Sequence, residues 1–208
     1  FKITMPALRE HREDIPDLGI IRVTFENGIR LNVKTTDFKA NEIKAALIFG
    51  NGRKSEPADH PGLASLAQKV VQLSGLGGLT RDELKRALAG KNTHVQFQVE
   101  EDHFALSGSS VINETDLLFQ LFHNYLADPG FREDAYSLAL DQYKQEYESL
   151  AHSIQGGMIF DGYRFLAGGD ARFGLPDFDT FKKNSLADIK NWLSPAFSDA
   201  PVEISLVG

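Results

Sequence analysis

Cysteine is absent from the 208 residues, so disulfides and thiolate metal ligands are both excluded. The redox compartment stays open, because a cysteine-free chain suits the cytosol and the periplasm equally. Long apolar runs are missing too: no stretch reaches the roughly 18 continuous apolar residues of a membrane span. Positive charge is scarce. Lys and Arg number 22 against 29 Asp and Glu, the net charge is -7, and no basic run exceeds two residues. A nucleic-acid surface needs a concentrated basic patch, so that class of partner is excluded. Six histidines are present, His11, His60, His94, His103, His123 and His152, but none stands in H-x-H or H-x-x-x-H spacing, so no local ligand pair exists.

What is present suffices for a full core. The chain is 42% hydrophobic and 25% charged, a globular balance for one large domain or two small ones. Residues 1–18 are rich in proline and charge without a sustained period, and read as a lead-in or interdomain linker; 19–208 read as a single domain. Ile20 to Phe25 and Ile29 to Thr35 alternate around Asn27-Gly28, which predicts a hairpin with a two-residue turn. Ile43 to Phe49 is a near-continuous apolar run, expected to be a strand buried on both faces. Val95 to Val99 and Phe104 to Ser110 alternate around an acidic turn. A final strand is expected from Val202.

Helical signals fill the gaps. Thr80 with Glu83 forms a capping box, Ser185 with Asp188 caps the last helix, and Asn113 or Thr115 is expected to cap the helix carrying Leu117, Leu121 and Tyr125. A long helix is expected over about 133–153, and another from Met158 to Leu166 after a Gly-Gly break. The order of strands, helices, strands, helices and strand predicts an α+β fold. GLGGL at 75–79 lacks the spacing of a phosphate loop and follows a helix, not a strand.

The central helix is expected over Pro61 to Leu73, with Pro61 in its first turn. Leu63, Leu66, Ala67 and Val70 form its apolar stripe at i, i+3, i+4 and i+7, and Ser65, Gln68, Lys69 and Gln72 form the opposite polar stripe. From spacing alone these four are an ordinary solvated face. Gly62-Leu63-Ala64, the Asn27-Gly28 turn, Asp128 to Phe131 before a long helix, and the closing VEISLVG resemble the inverzincin metallopeptidases of the pitrilysin, insulin-degrading and mitochondrial processing type. Active members carry H-x-x-E-H on this helix, two histidines on zinc and a glutamate as general base.

Here the motif positions are Ser65, Gln68 and Lys69, and the position of the third ligand, 77 residues beyond Lys69, is Glu146. The resemblance implies an antiparallel sheet with helices on one side, and an inactive domain of a longer, multi-domain chain. No cofactor is expected in this domain, and zinc only in a separate catalytic domain. The implied partners are a catalytic half, in the same chain or a paired subunit, and peptide substrate.

A Lys69–Glu146 ion pair is expected to replace the metal as a link between helices. Trp192, Phe197 and the Phe-rich segment Phe160 to Phe181 are candidates for a partner surface. A fold kept purely as a protein-interaction or structural module is the alternative, and a hydrolase with a rearranged site a further one. For the latter, Ser65 and Lys69 lack the S-x-x-K spacing of serine acyl enzymes.

Overall fold

A computed structural model describes residues 10–208. Its seven strands form one sheet in the order β1-β2-β3-β7-β4-β6-β5, with β1 at Glu10–Ile15, β2 at Ile20–Phe25, β3 at Arg30–Lys34, β4 at Glu42–Phe49, β5 at His94–Val99, β6 at Phe104–Val111 and β7 at Val202–Val207. All neighbours pair antiparallel except β3 and β7, which run parallel, so the sheet is mixed and not purely antiparallel. The exception follows from connectivity: the chain returns from the helical layer and slots its last strand between β3 and β4.

The expected lead-in belongs to the sheet from its tenth residue, since Glu10–Ile15 pairs with β2 along its whole length. Its sequence, EHREDI, lacks the apolar alternation of an interior strand because it is an exposed edge. The lead-in expected for residues 1–9 lies outside the described residues. The first hairpin has a loop one residue longer than expected: Phe25 N donates to Ile29 O, leaving three residues in the loop. Of these, Gly28 (φ 84°) takes the left-handed conformation, as in a turn closed by a glycine bulge. β4 is central but alternating. Ala45, Leu47 and Phe49 are buried while Ala46 and Ile48 are half-buried.

The helices are α1 (Leu63–Ser74), α2 (Arg81–Ala87), α3 (Thr115–Ala127), α4 (Glu133–Ala151), α5 (Ile154–Gly157), α6 (Tyr163–Leu166), α7 (Phe178–Phe181) and α8 (Leu186–Asp199). A π-helical turn, Met158–Gly162, joins α5 to α6. The Gly-Gly pair therefore lies inside a helical run, and the break falls at His152 and Ser153, whose hydroxyl caps α5 through Gly156 N. Both capping boxes form as expected. Glu114 precedes α3 without a side-chain cap; Thr115 Oγ1 turns back to donate to Ile112 O.

The predicted apolar stripe of α1 is the centre of the core. Leu63 is 1% exposed, and Leu66, Ala67 and Val70 are 0%. They pack with Phe97, Phe104 and Leu106 from the sheet and with Leu118, Tyr143, Phe181 and Ile189 from the other helices. At about 25 cal/mol per Å² of apolar area removed from water, such burial is what holds α1 to the sheet. Trp192 and Phe197, both half-buried, pack against this layer: Phe197 stands 5.1 Å from Phe49 and 5.6 Å from Phe97, ring to ring. Within the Phe-rich segment Phe181 is fully buried, whereas Phe165 is exposed.

Candidate functional site: the polar face of α1

Helix α1 begins later than its proline suggests. Gly62 (φ 84°) is the turn before it, and a side chain there would collide with the Phe181 ring, at 2.6 Å. The first turn of the helix is met by a carboxylate from the preceding loop: Glu56 Oε1 accepts from Ala64 N at 3.0 Å. Glu56 is 3% exposed, its Oε2 has no hydrogen-bond partner, and Arg53 Nη1 lies 4.0 Å away. Burial pushes this carboxyl up to about 7, against the opposing pull of the Ala64 amide and the Arg53 charge.

Four polar positions follow on one face, and the structure divides them between two neighbours. Gln68 and Gln72 turn toward β5: Gln68 Oε1 accepts from Val99 N at 2.8 Å, and Gln72 Nε2 donates to Phe97 O at 2.9 Å. Ser65 and Lys69 turn toward α4. Tyr143 OH donates to the Ser65 carbonyl at 3.0 Å, and the Lys69 ammonium lies 5.3 Å from the centre of the Tyr143 ring. Burial, with the nearby Glu146 charge second, drives the Tyr143 phenol further above its ordinary value, so it stays a neutral donor.

The expected Lys69–Glu146 ion pair is not formed. Lys69 stacks on Tyr143, and Glu146, one turn further along α4, is exposed. The ring gives the ammonium a partner of its own, and a cation over a ring is worth about 0.5–1 kcal/mol at such a site. The structure thus brings Ser65, Gln68 and Lys69 together on α1 and places Glu146 at the outer rim of the same face.

The histidines are dispersed. His60 Nδ1 is 3.1 Å from Oδ1 of the buried Asn184, His103 Nδ1 is 2.7 Å from Asp102, and His94 Nδ1 is 3.3 Å from Ser109 Oγ. Among the described residues no group of three or more His, Cys, Asp or Glu is arranged to hold a metal ion.

Sequence reasoning missed Tyr143 and Glu56. Tyr143 falls within the long helix expected over about 133–153, but its link to Ser65 is a long-range contact without a local signal. Glu56 sits in a polar loop where nothing marks it as buried.

No family model matches the chain. In sequence it is similar to the stromal processing peptidases of chloroplasts, 23% identical to that of Pisum sativum over 98% of this chain and 24% to that of Arabidopsis thaliana over 92%. It spans only 16% and 15% of the length of these relatives. In structure it is similar to the periplasmic protease PqqL of Escherichia coli, with a TM-score of 0.81 and 21% identity over 98% of this chain and 22% of that one. The ferredoxin protease FusC, solved with Arabidopsis ferredoxin, gives 0.70 at 19% identity, covering 98% of this chain and 23% of FusC. An inactive domain of a peptidase M16 from Pseudomonas fluorescens gives 0.75 at 18% identity, over 92% of this chain and 47% of that one. The chain is homologous to stromal processing peptidases over nearly its whole length and has the α+β fold of an M16 peptidase domain.

Proposed function

We propose that this chain is a non-catalytic peptidase-like domain that pairs with a catalytic half to form the peptide-degrading chamber of a zinc metallopeptidase. The observation that carries this reading is the use made of the motif positions on α1. Zinc takes three protein ligands from histidine, cysteine or carboxylate and keeps one position for water. Ser65, Gln68, Lys69 and Glu146 offer a single carboxylate between them. The Gln68 oxygen is already committed to the Val99 amide, and a lysine ammonium beside the position repels a cation. The residues present do not fit zinc, which belongs in a separate catalytic domain.

The role left to the domain is to complete a chamber wall and handle substrate. Its relatives are processing peptidases several times its length, and one fold neighbour was solved with a whole protein bound. The test is elemental analysis of the purified chain after incubation with excess zinc, with cleavage of a mixed peptide library measured alone and with the catalytic half added. No stoichiometric zinc, no cleavage alone and a gain of cleavage on mixing are expected. One zinc per chain with chelator-sensitive cleavage would overturn the non-catalytic role. No binding to the catalytic half would overturn the pairing and leave an interaction module.

A further inference from the structure

Strand β5 is one edge of the sheet, and an edge offers unpaired N–H and C=O groups to any extended chain that comes beside it. Which groups face outward follows from the ladder. Glu100 N donates to His103 O across the turn that joins β5 to β6, which continues the pairing of the even-numbered residues of β5 with β6. In an antiparallel pair successive residues point their backbone groups to opposite sides, so Phe97 and Val99 turn theirs away from β6. These two residues are the ones that the glutamines of α1 hold.

The match is one of spacing and of chemistry. Two residues four apart on a helix are about 6 Å apart along its axis. Two residues two apart on a strand are about 6.8 Å apart. Gln68 reaches Val99 and Gln72 reaches Phe97, so α1 runs antiparallel to β5 and keeps both contacts in register. Gln68 presents an acceptor to an N–H, and Gln72 presents a donor to a C=O, as the C=O and N–H of an added strand would. A carboxylate could take the first role but not the second, since Phe97 O needs a donor. Further along, Arg53 N donates to Glu100 O at 2.8 Å and Lys54 N to Glu101 O at 2.9 Å, covering the turn with backbone.

We propose that Gln68 and Gln72 form a side-chain plug that occupies the outer edge of β5 and excludes an added peptide strand, so that peptide entering this domain's neighbourhood is not gripped on β5. The plug does not depend on pairing with a catalytic half. Loss of either contact exposes buried-side backbone groups that only a strand, water or another edge can satisfy.

The experiment compares the 208-residue chain with its Gln68→Met/Gln72→Met form, which keeps side-chain volume and removes both amides. Backbone amide exchange is read by NMR at Val99, with Leu47 in β4 as the internal reference. A soluble extended peptide of about eight alternating valine and threonine residues is then titrated against both proteins. Exchange at Val99 is expected to rise about tenfold or more in the double variant with Leu47 unchanged. Shifts of the β5 amides on peptide addition are expected in the double variant only.

Equal protection of Val99 in both proteins would overturn the plug, as would peptide-induced shifts on β5 in the unaltered chain. A double variant that exposes Val99 and still ignores peptide would overturn the exclusion of strands. If the double variant fails to fold, Gln68→Met alone gives the Val99 readout, and Gln68→Glu, which retains an acceptor, should restore protection.

Discussion

The two edges of this sheet are blunted by opposite means. β1 carries Glu10, His11, Arg12, Glu13 and Asp14 in a row, exposed along its length. Any strand that approached it would have to desolvate those charges, so repulsion and hydration protect the edge. β5 has buried Phe97 and Val99 in the middle of the core side and no comparable charge, and two of its outward groups, Val99 N and Phe97 O, are taken by the glutamines of α1. One edge is guarded by side chains of its own strand, the other by a helix 25 to 31 residues away in sequence. The first device can be removed without touching the core, whereas the second is continuous with it.

The largest expected effect separates the edges by burial. Phe97→Ala removes a fully buried ring that neighbours Phe104 and Phe197, and should cost about 3–5 kcal/mol in a denaturant titration. Arg12→Ala on β1, more than half exposed in its contact with Asp14, should stay within about 0.5 kcal/mol. Equal losses at the two positions would erase the distinction.

Next comes pH. The loop that covers the β5 turn is anchored through Glu56 to the start of α1, and the Glu56 carboxyl is raised from 4.5 to about 7 by burial. Between those values the folded chain keeps a proton that the unfolded chain releases. Stability from this group is therefore fully present below about pH 4.5 and is lost as pH rises through about 7, a change of roughly 3 kcal/mol. Glu56→Gln should flatten that part of the stability–pH curve. An unaltered slope in the variant would assign the dependence to another group.

Much of this fold was legible in sequence because its elements obey local rules. The α1 stripe, the Thr80 and Ser185 caps and the alternating β5 and β6 follow from periodicity and hydrogen-bonding chemistry within a few residues. β1 was not legible, since an edge guarded by charge reads as linker. The parallel β3–β7 pair was hidden as well, because nothing in VEISLV says which neighbours it will join. At the site, the residue types at 65, 68 and 69 were legible as a polar helix face, but their present partners were not. Tyr143 displaced Glu146 as the neighbour of Lys69 through packing between helices, which leaves no mark on spacing.

That displacement gives a smaller effect on the α4 side of the polar face. Tyr143→Phe removes the bond to the Ser65 carbonyl and should cost about 1 kcal/mol. In double-mutant cycles, Lys69→Met with Tyr143→Leu should show coupling of about 0.5 kcal/mol. Lys69→Met with Glu146→Leu should be additive within about 0.3 kcal/mol. A strong coupling in the second cycle would restore the ion pair and make this side of α1 resemble a replaced metal link.

The smallest stability effect, and the one that isolates the β1 device, is expected from Arg12→Val/Glu13→Val. Arg12 contacts Asp14 at 3.3 Å and Glu13 lies 3.7 Å from Arg22, both in exposed settings where an ion pair contributes between about 0 and 1 kcal/mol. The substitutions improve strand propensity while removing charge, so folding stability should change by less than about 0.5 kcal/mol. Association should change instead. With these two charges gone from the middle of the strand, the outward backbone of β1 becomes a better template for another copy, and sedimentation at rising concentration should show more dimer than the unaltered chain does. A variant that shows no more dimer would mean that charge is not what guards β1, and the contrast with the glutamine-held edge would rest on β5 alone.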